Sequence, residues 1–367
     1  MAQYPCINKC IARFKHAVVN LAEEQILSPS NFFRVAGMLT RKALVGPLKV
    51  PVDITDACDT QCVMCWYHSP LIKKKVGENF FMSLGRFKNL VRELRTIKTR
   101  VIMLCGEGEP LIHPHVEEMV EAARQESLEV EIMTNAVSLN RRKAESFSKM
   151  GVKKIIVSLH AADFGTFNKI RPHMTGEDFK QTVENLRYMK NIPSGSRRMR
   201  LFIVNVISRL NYLNIDAMAV LAENIGADKV LFKPLVLFNL PESLQLSIEE
   251  CKGVIDNARK LASTLHIPNN LSDYARSLQC RISEESRQRY SPYGCSALYS
   301  CYIPWVQSVI SINGDVLGCV YARKYLLGNI YNSTFSDIWF GKKYIFFRQG
   351  SFCPAQCLGR AVYPLLT

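Results

Sequence analysis

The sequence predicts an α/β chain whose main part is a partial (β/α)6, TIM-like barrel, followed by a small C-terminal α+β module. Three observations carry this. Six short apolar runs, near 50–55, 100–105, 128–134, 153–160, 200–207 and 228–235, alternate with segments of helical periodicity near 84–97, 114–126, 140–150, 177–190, 214–224 and 246–265. Such alternation implies parallel strands joined by right-handed crossovers, for which a partial barrel is the natural closure. After about 265 the pattern changes: Ile267-Pro268-Asn269-Asn270 breaks the last helix, and the remainder is rich in Cys, Tyr and Gly. The expected division is therefore 1–48, 49–265 and 266–367.

Taken in order, residues 1–48 hold two helical stretches, roughly 8–24 and 30–44, with apolar residues on one face and Lys or Arg on the other. Capping the barrel is the expected role, with a membrane surface or a partner protein as alternatives. Val50, Val52 and Ile54 alternate with other residues and run into a cysteine-bearing loop, which places that loop at the C-terminal end of the first strand. Val101-Ile102-Met103-Leu104 forms the second strand and leads into Gly106-Glu107-Gly108-Glu109-Pro110. His113-Pro114 opens the following helix, where the missing proline N–H costs nothing. In an α/β barrel the working groups lie on loops at the C-terminal strand ends. Beyond 265, Val306–Ile312, Asn313-Gly314 and Asp315–Cys319 read as a β-hairpin around a strong turn signal.

Composition narrows the class. With 48% hydrophobic residues the chain can bury a sizeable core, and no apolar stretch reaches the length of a spanning helix. Lys9, Arg13 and Lys15 interrupt the N-terminal segment, unlike a signal peptide, so a cytoplasmic location is expected. In that compartment 13 cysteines read as metal ligands and buried thiols. The net charge of +15 suits an anionic partner, or simply a soluble basic protein. Short basic clusters such as Lys73-Lys74-Lys75 lack any accompanying RNA-binding signature, so no nucleic-acid partner is expected.

Cys58, Cys62 and Cys65 are spaced C-x3-C-x2-C. Soft thiolates at this density select an iron–sulfur cluster, zinc or cuprous ion; a zinc site would recruit His68 as a fourth ligand. Together with the turn at 106–110, the motif resembles the radical S-adenosylmethionine (SAM) superfamily, which carries CxxxCxxC after its first barrel strand and a GGEP-like turn after its second. The resemblance implies that Cys58, Cys62 and Cys65 hold a [4Fe–4S] cluster whose fourth iron binds SAM. Reductive cleavage of SAM then gives a 5′-deoxyadenosyl radical that abstracts hydrogen from an unactivated C–H bond. It also implies that Met64 flanks the adenine, with Trp66 a second candidate. Gly106, Glu107, Gly108, Glu109 and Pro110 would cradle the methionine part. Asn135 would close the third strand beside Thr134, Ser158 would reach the ribose, and Arg171 would meet the SAM carboxylate. Asp59 departs from the Asn found in many relatives. His160 could face substrate or be structural.

Cys301, Gly314 and Cys319 form C-x12-G-x4-C, and Cys353 and Cys357 follow as C-x3-C. Together with Gly328-Asn329-Ile330 and Asp337-Ile338-Trp339 they resemble the SPASM and twitch auxiliary-cluster domains. The implied ligands of one auxiliary [4Fe–4S] cluster are Cys301, Cys319, Cys353 and Cys357. Cys280 or Cys295 could replace one of them, and a four-cysteine zinc site is the alternative. No catalytic side chain or hydrogen-donor cysteine is nominated.

The expected activity is that of a radical SAM oxidoreductase or epimerase, dehydrogenating or epimerising a small, carbohydrate-like and possibly phosphorylated substrate. An electron donor such as flavodoxin or ferredoxin is implied. The alternative is a maturase modifying a ribosomally made peptide, and a distant one is a non-catalytic metal-binding regulator. Residues 1–48 are too short and too helical for the winged-helix module that often grips a leader peptide in peptide-modifying members, which ranks the small molecule first.

Overall fold

The computed structural model describes residues 29–72, 80–193, 198–282, 303–320 and 322–349. Six parallel strands, β1 (Lys49–Asp53), β2 (Val101–Cys105), β3 (Glu129–Thr134), β4 (Lys154–Ser158), β5 (Arg200–Ile207) and β6 (Lys229–Pro234), pair in sequence order. All lie within a residue or two of their predicted places. They are apolar runs because both faces are buried. Val50, Val52, Ile102, Leu104, Val130, Ile132, Ile155, Val157, Leu201, Ile203, Val230 and Phe232 pack in the large core with the crossover helices. The alternate positions Met103, Cys105, Ile156, Phe202, Val204 and Leu231 form a second buried cluster on the opposite, inner face.

The crossover helices begin where side chains can cap them. Ser83, Asn140 and Asp163 each accept a first-turn N–H, and Thr175–Asp178 and Ser247–Glu250 form reciprocal capping boxes. Pro114 lies two residues before the helix Val116–Gln125 rather than at its first position. The helix Pro29–Thr40 is fastened at the start of β1: buried Arg34 donates to the carbonyls of Gly46 (3.1 Å) and Pro47 (3.3 Å). The stretch 8–24 lies outside the described residues.

The hairpin is present as β7 (Val309–Ile310) and β8 (Asp315–Leu317), with Gly314 at φ +79° in the turn, and β9 (Leu326–Asn329) joins it antiparallel. Its first strand is shorter than predicted, spanning only Val309–Ile310, and Val306 belongs to the helix Ile303–Val306. The hairpin also extends the barrel sheet, since β7 pairs parallel with β1 through Val52 and Ile310. The result is a nine-stranded sheet in the order β6-β5-β4-β3-β2-β1-β7-β8-β9. Trp339 Nε1 donates to Val45 O (2.9 Å), tying the C-terminal helices to the segment before β1.

The N-terminal end of the barrel interior is closed by charge. Lys49 and Lys154 each contact Glu131 (2.9 and 3.0 Å), and all three side chains are at most 6% exposed. Lys154 also lies 4.6 Å from the centre of the Phe202 ring. Burial opposes ionisation of Glu131, but the two ammonium groups outweigh it and hold its pKa down to about 2.

Candidate functional site

The loop after β1 is held open for its cysteines by backbone and hydroxyl contacts. Thr55 Oγ1 donates to Phe80 O (2.7 Å) and accepts from Ala57 N (3.0 Å). Cys58 Sγ and Cys62 Sγ lie 3.4 and 3.6 Å from the single Thr60 hydroxyl. Cys65 Sγ accepts the Tyr67 and His68 amides (3.4 and 3.2 Å). Burial pushes the Cys58 thiol up to about 12 and raises Cys65 as well, so to serve as ligands they would need the charge of a bound metal to drive their deprotonation. Among the described residues no three His, Cys, Asp or Glu side chains converge as a single metal ion would require. A cubane spreads its thiolates over separate irons and needs no such convergence.

The turn after β2 is pressed against this loop. Gly108 N donates to Thr55 O (3.0 Å) and Glu109 N to Ala57 O (2.7 Å). A Cβ on Gly108 would stand 2.0 Å from Ala57 O, and one on Gly106 2.8 Å from Thr55 O, so only glycine allows the approach. Pro110 opens a single 3-10 turn. The Glu109 carboxylate points inward, accepting from Leu111 N (2.9 Å), Thr134 Oγ1 (2.6 Å) and Asn135 N (2.7 Å). Only its backbone is left for the nominated role in the cradle, since its side chain ties the turn after β2 to the end of β3.

Asn135 is likewise occupied: Nδ2 donates to Asp59 Oδ1 (2.6 Å) and Thr60 Oγ1 (3.3 Å), and Oδ1 accepts from Val137 N (2.8 Å). Asp59 also accepts from the Ser138 hydroxyl (2.6 Å), so the departure from Asn makes a brace between the first and third loops. Met64 is buried against Ile170, Leu235, Leu240 and Leu244 as an apolar wall. The Ser158 carbonyl accepts from Arg171 Nη2 (2.5 Å). Arg171 is 1% exposed, yet its Nε and Nη1 have no partner among the described residues. Two unspent guanidinium donors beside the cysteine loop suit an anion. His160 is held by its Nδ1, which accepts from Val206 N (3.0 Å). Burial, with Arg171 and Lys233 nearby, lowers its pKa to about 3, so the ring is neutral.

Sequence reasoning missed Thr60, whose hydroxyl lies between two of the cysteines, and Arg323. The Arg323 guanidinium donates to Glu107 (2.8 Å) and stacks 4.0 Å over the Trp66 ring, clasping the C-terminal module to the turn and the cysteine loop. Only tertiary contact reveals that pairing across more than two hundred residues. Cys319 is described and half-buried, whereas Cys301, Cys353, Cys357 and Cys295 lie outside the described residues. A small crevice of about 120 Å³ lined by Ile207, Leu235, Leu246 and Cys251 includes none of the nominated residues.

A radical SAM family model matches residues 52–205, and a model for the SPASM iron–sulfur cluster-binding domain matches 301–359. The chain belongs to the radical SAM superfamily. It is 20% identical over 318 residues to the tungsten-containing aldehyde ferredoxin oxidoreductase cofactor-modifying protein of Pyrococcus furiosus, covering 81% of this chain and 82% of that one. It is 24% identical to the PqqA peptide cyclase of Rhodopseudomonas palustris over 64% of this chain, spanning 62% of that relative. Its fold matches Streptococcus suis SuiB, solved bound to the precursor peptide SuiA, at a TM-score of 0.63 and 14% identity, covering 86% of this chain and 70% of that one.

As a radical SAM enzyme the chain uses a [4Fe–4S] cluster and SAM, and its SPASM domain implies auxiliary iron–sulfur binding. The residues present fit these groups: three cysteines on one loop, two glycines permitting close backbone approach, and a buried arginine with donors to spare. No described helix is long and apolar enough to cross a membrane.

Proposed function

We propose that this radical SAM enzyme is a maturase that modifies a peptide, the second of the two activities its sequence suggested. The carrying observation is its similarity to a PqqA peptide cyclase over 64% of its length. The match to the fold of SuiB is compatible with it. The carbohydrate substrate ranked first by sequence has no comparable support. A second reading, modification of a non-peptide molecule, draws on the similarity to the cofactor-modifying protein of Pyrococcus furiosus.

When bound, the cluster and SAM supply the radical that removes hydrogen from substrate. In the proposed arrangement Cys58, Cys62 and Cys65 hold the cluster, and Arg171 neutralises the SAM carboxylate. Gly106, Gly108 and Pro110 shape the methionine cradle with the Glu107 and Glu109 backbone, while Met64 walls off the adenine. Ser158 and Asn135 complete the polar rim. Cys301, Cys319, Cys353 and Cys357 would hold the auxiliary cluster, electrons arriving from a flavodoxin- or ferredoxin-like donor. The division 1–48, 49–265 and 266–367, the cytoplasmic setting and the oxidoreductase type belong to the same proposal.

The test is anaerobic incubation of the reconstituted enzyme with SAM, reductant and the short peptides encoded beside its gene. A peptide that loses about 2 Da per turnover while 5′-deoxyadenosine accumulates is the expected outcome. Unchanged peptides, with a non-peptide metabolite consumed instead, would overturn the reading.

A further inference from the structure

The inner face of the barrel carries two ionisable side chains, Asp53 and Lys233, that no ion pair satisfies among the described residues. Asp53, the last residue of β1, is 4% exposed. Its Oδ1 receives a long contact from Cys105 Sγ (3.5 Å), the residue beside it in register on β2. Its Oδ2 is buried and has no hydrogen-bond partner among the described residues. The contact with Cys105, a member of the inner cluster, places this carboxylate inside the barrel rather than among the helices. Lys233, on β6, shares the strand face of Leu231, another member of that cluster, and stands beside Val206 in register. Its ammonium makes no hydrogen bond or ion pair among the described residues. The groups that sense it, Lys49 and His160, offer no negative charge.

A buried carboxylate oxygen without a hydrogen-bond partner is costly for a fold to keep; half-buried Lys233 costs less, but it too has no charge to pair with among the described residues. Both lie at the C-terminal ends of their strands, the end that carries the cysteine loop, above an apolar floor of Met103, Ile156, Val204 and Leu231. Burial first, and then Glu107, push the Asp53 pKa up to about 7, against the opposing pull of Arg323, as expected of a carboxylate awaiting a donor.

We propose that Asp53 and Lys233 are the substrate-binding residues of the barrel interior, receiving one peptide unit over the apolar floor. An N–H of that unit donates to Asp53 Oδ2, and a carbonyl or side-chain carboxylate accepts from Lys233 Nζ. The occupant rests on the maturase reading and specifies what it must present: a donor and an acceptor on either side of an apolar segment. Neither residue takes part in hydrogen abstraction.

The test uses full-length holoenzyme with SAM, panned against phage-displayed random dodecapeptides. Binding of the enriched peptides is then measured by fluorescence polarisation for wild type, Asp53→Asn and Lys233→Met. Thermal unfolding and iron content are recorded for each protein. The expected result is a loss of about tenfold or more in peptide affinity for each variant, with iron unchanged and the unfolding temperature equal or raised. Wild-type affinity in both variants would overturn this inference and leave the maturase reading standing. A marked fall in unfolding temperature would also overturn it, by making the pair structural. Failure of the wild type to enrich any peptide would remove both this occupant and the maturase reading.

Discussion

The two ends of one barrel interior treat buried charge in opposite ways. At the N-terminal end Glu131 sits between Lys49 and Lys154, every partner within 3.0 Å. At the C-terminal end Asp53 Oδ2 and two nitrogens of Arg171 are buried with no partner at all among the described residues. The same chain, with the same strands, pairs its charges where nothing enters and leaves them open beside the cysteine loop. The difference separates a floor that stabilises the fold from a mouth kept reactive at the expense of stability.

Substitutions at the two ends should therefore fail in different ways. The largest effect is expected for Cys65→Ala: SAM cleavage disappears and iron falls by about four per chain after reconstitution, with the fold retained, as read by metal analysis and circular dichroism. Glu131→Gln should reverse that pattern. It leaves two buried ammonium groups without a carboxylate and should cost about 3–5 kcal/mol of stability. Chemical denaturation reads the loss, and cysteine-loop iron binding in the surviving folded protein should be unchanged.

The pH dependence sharpens the contrast. Glu131 titrates near 2 in the fold against an ordinary value of 4.5, so its contribution is complete above about 4.5 and is lost as pH falls towards 2. Asp53 runs the other way. Its folded pKa of about 7 lies above its ordinary 3.8, so the fold loses stability as pH rises across that window. Unfolding curves of Asp53→Asn against wild type between pH 4 and 7 should converge at the acid end; parallel curves would contradict an unpaired carboxylate.

Arg171→Met should weaken SAM binding roughly 10–100-fold while changing the stability of the SAM-free protein little, because the lost bond from Nη2 to the Ser158 carbonyl is offset by removing two buried donors, Nε and Nη1, that have no hydrogen-bond partner among the described residues. Isothermal titration measures the first and thermal unfolding the second. Arg323→Met is the mildest. Its guanidinium is 28% exposed and its partner Glu107 10%, so about 1–2 kcal/mol is expected. That change lies between the two regimes, since the clasp spans the cysteine loop and the C-terminal module.

Much of this fold was legible because parallel strands buried on both faces leave continuous apolar runs, with helical periodicity between them. The helix Leu271–Ile282 was not. The break at 267–270 looked like the end of the repeat, yet Asn270 grips both backbone groups of Phe232 (2.7 and 2.8 Å), an amide standing in for a neighbouring strand. From there Leu271, Tyr274, Ala275 and Leu278 return to the core. The seven-residue helix Phe164–Ile170 was too short to show a period.

At the site, the cysteine spacing and the glycines were readable because chemistry and backbone sterics demand those residue types. The inward turn of Glu109, the Thr60 bridge and the Arg323 clasp were not, since each depends on which loops meet in space. The pairing of β7 with β1 escaped for the same reason.

That pairing has a mechanical consequence. Cys319 follows β8, and β8 is laddered through β7 onto the strand that launches the cysteine loop. The C-terminal module is thus soldered to the barrel by backbone rather than slung from a hinge. Electron exchange between two redox centres mounted on one such plate would keep a fixed gap through the working cycle, so its rate would answer to driving force and local polarity instead of to domain motion.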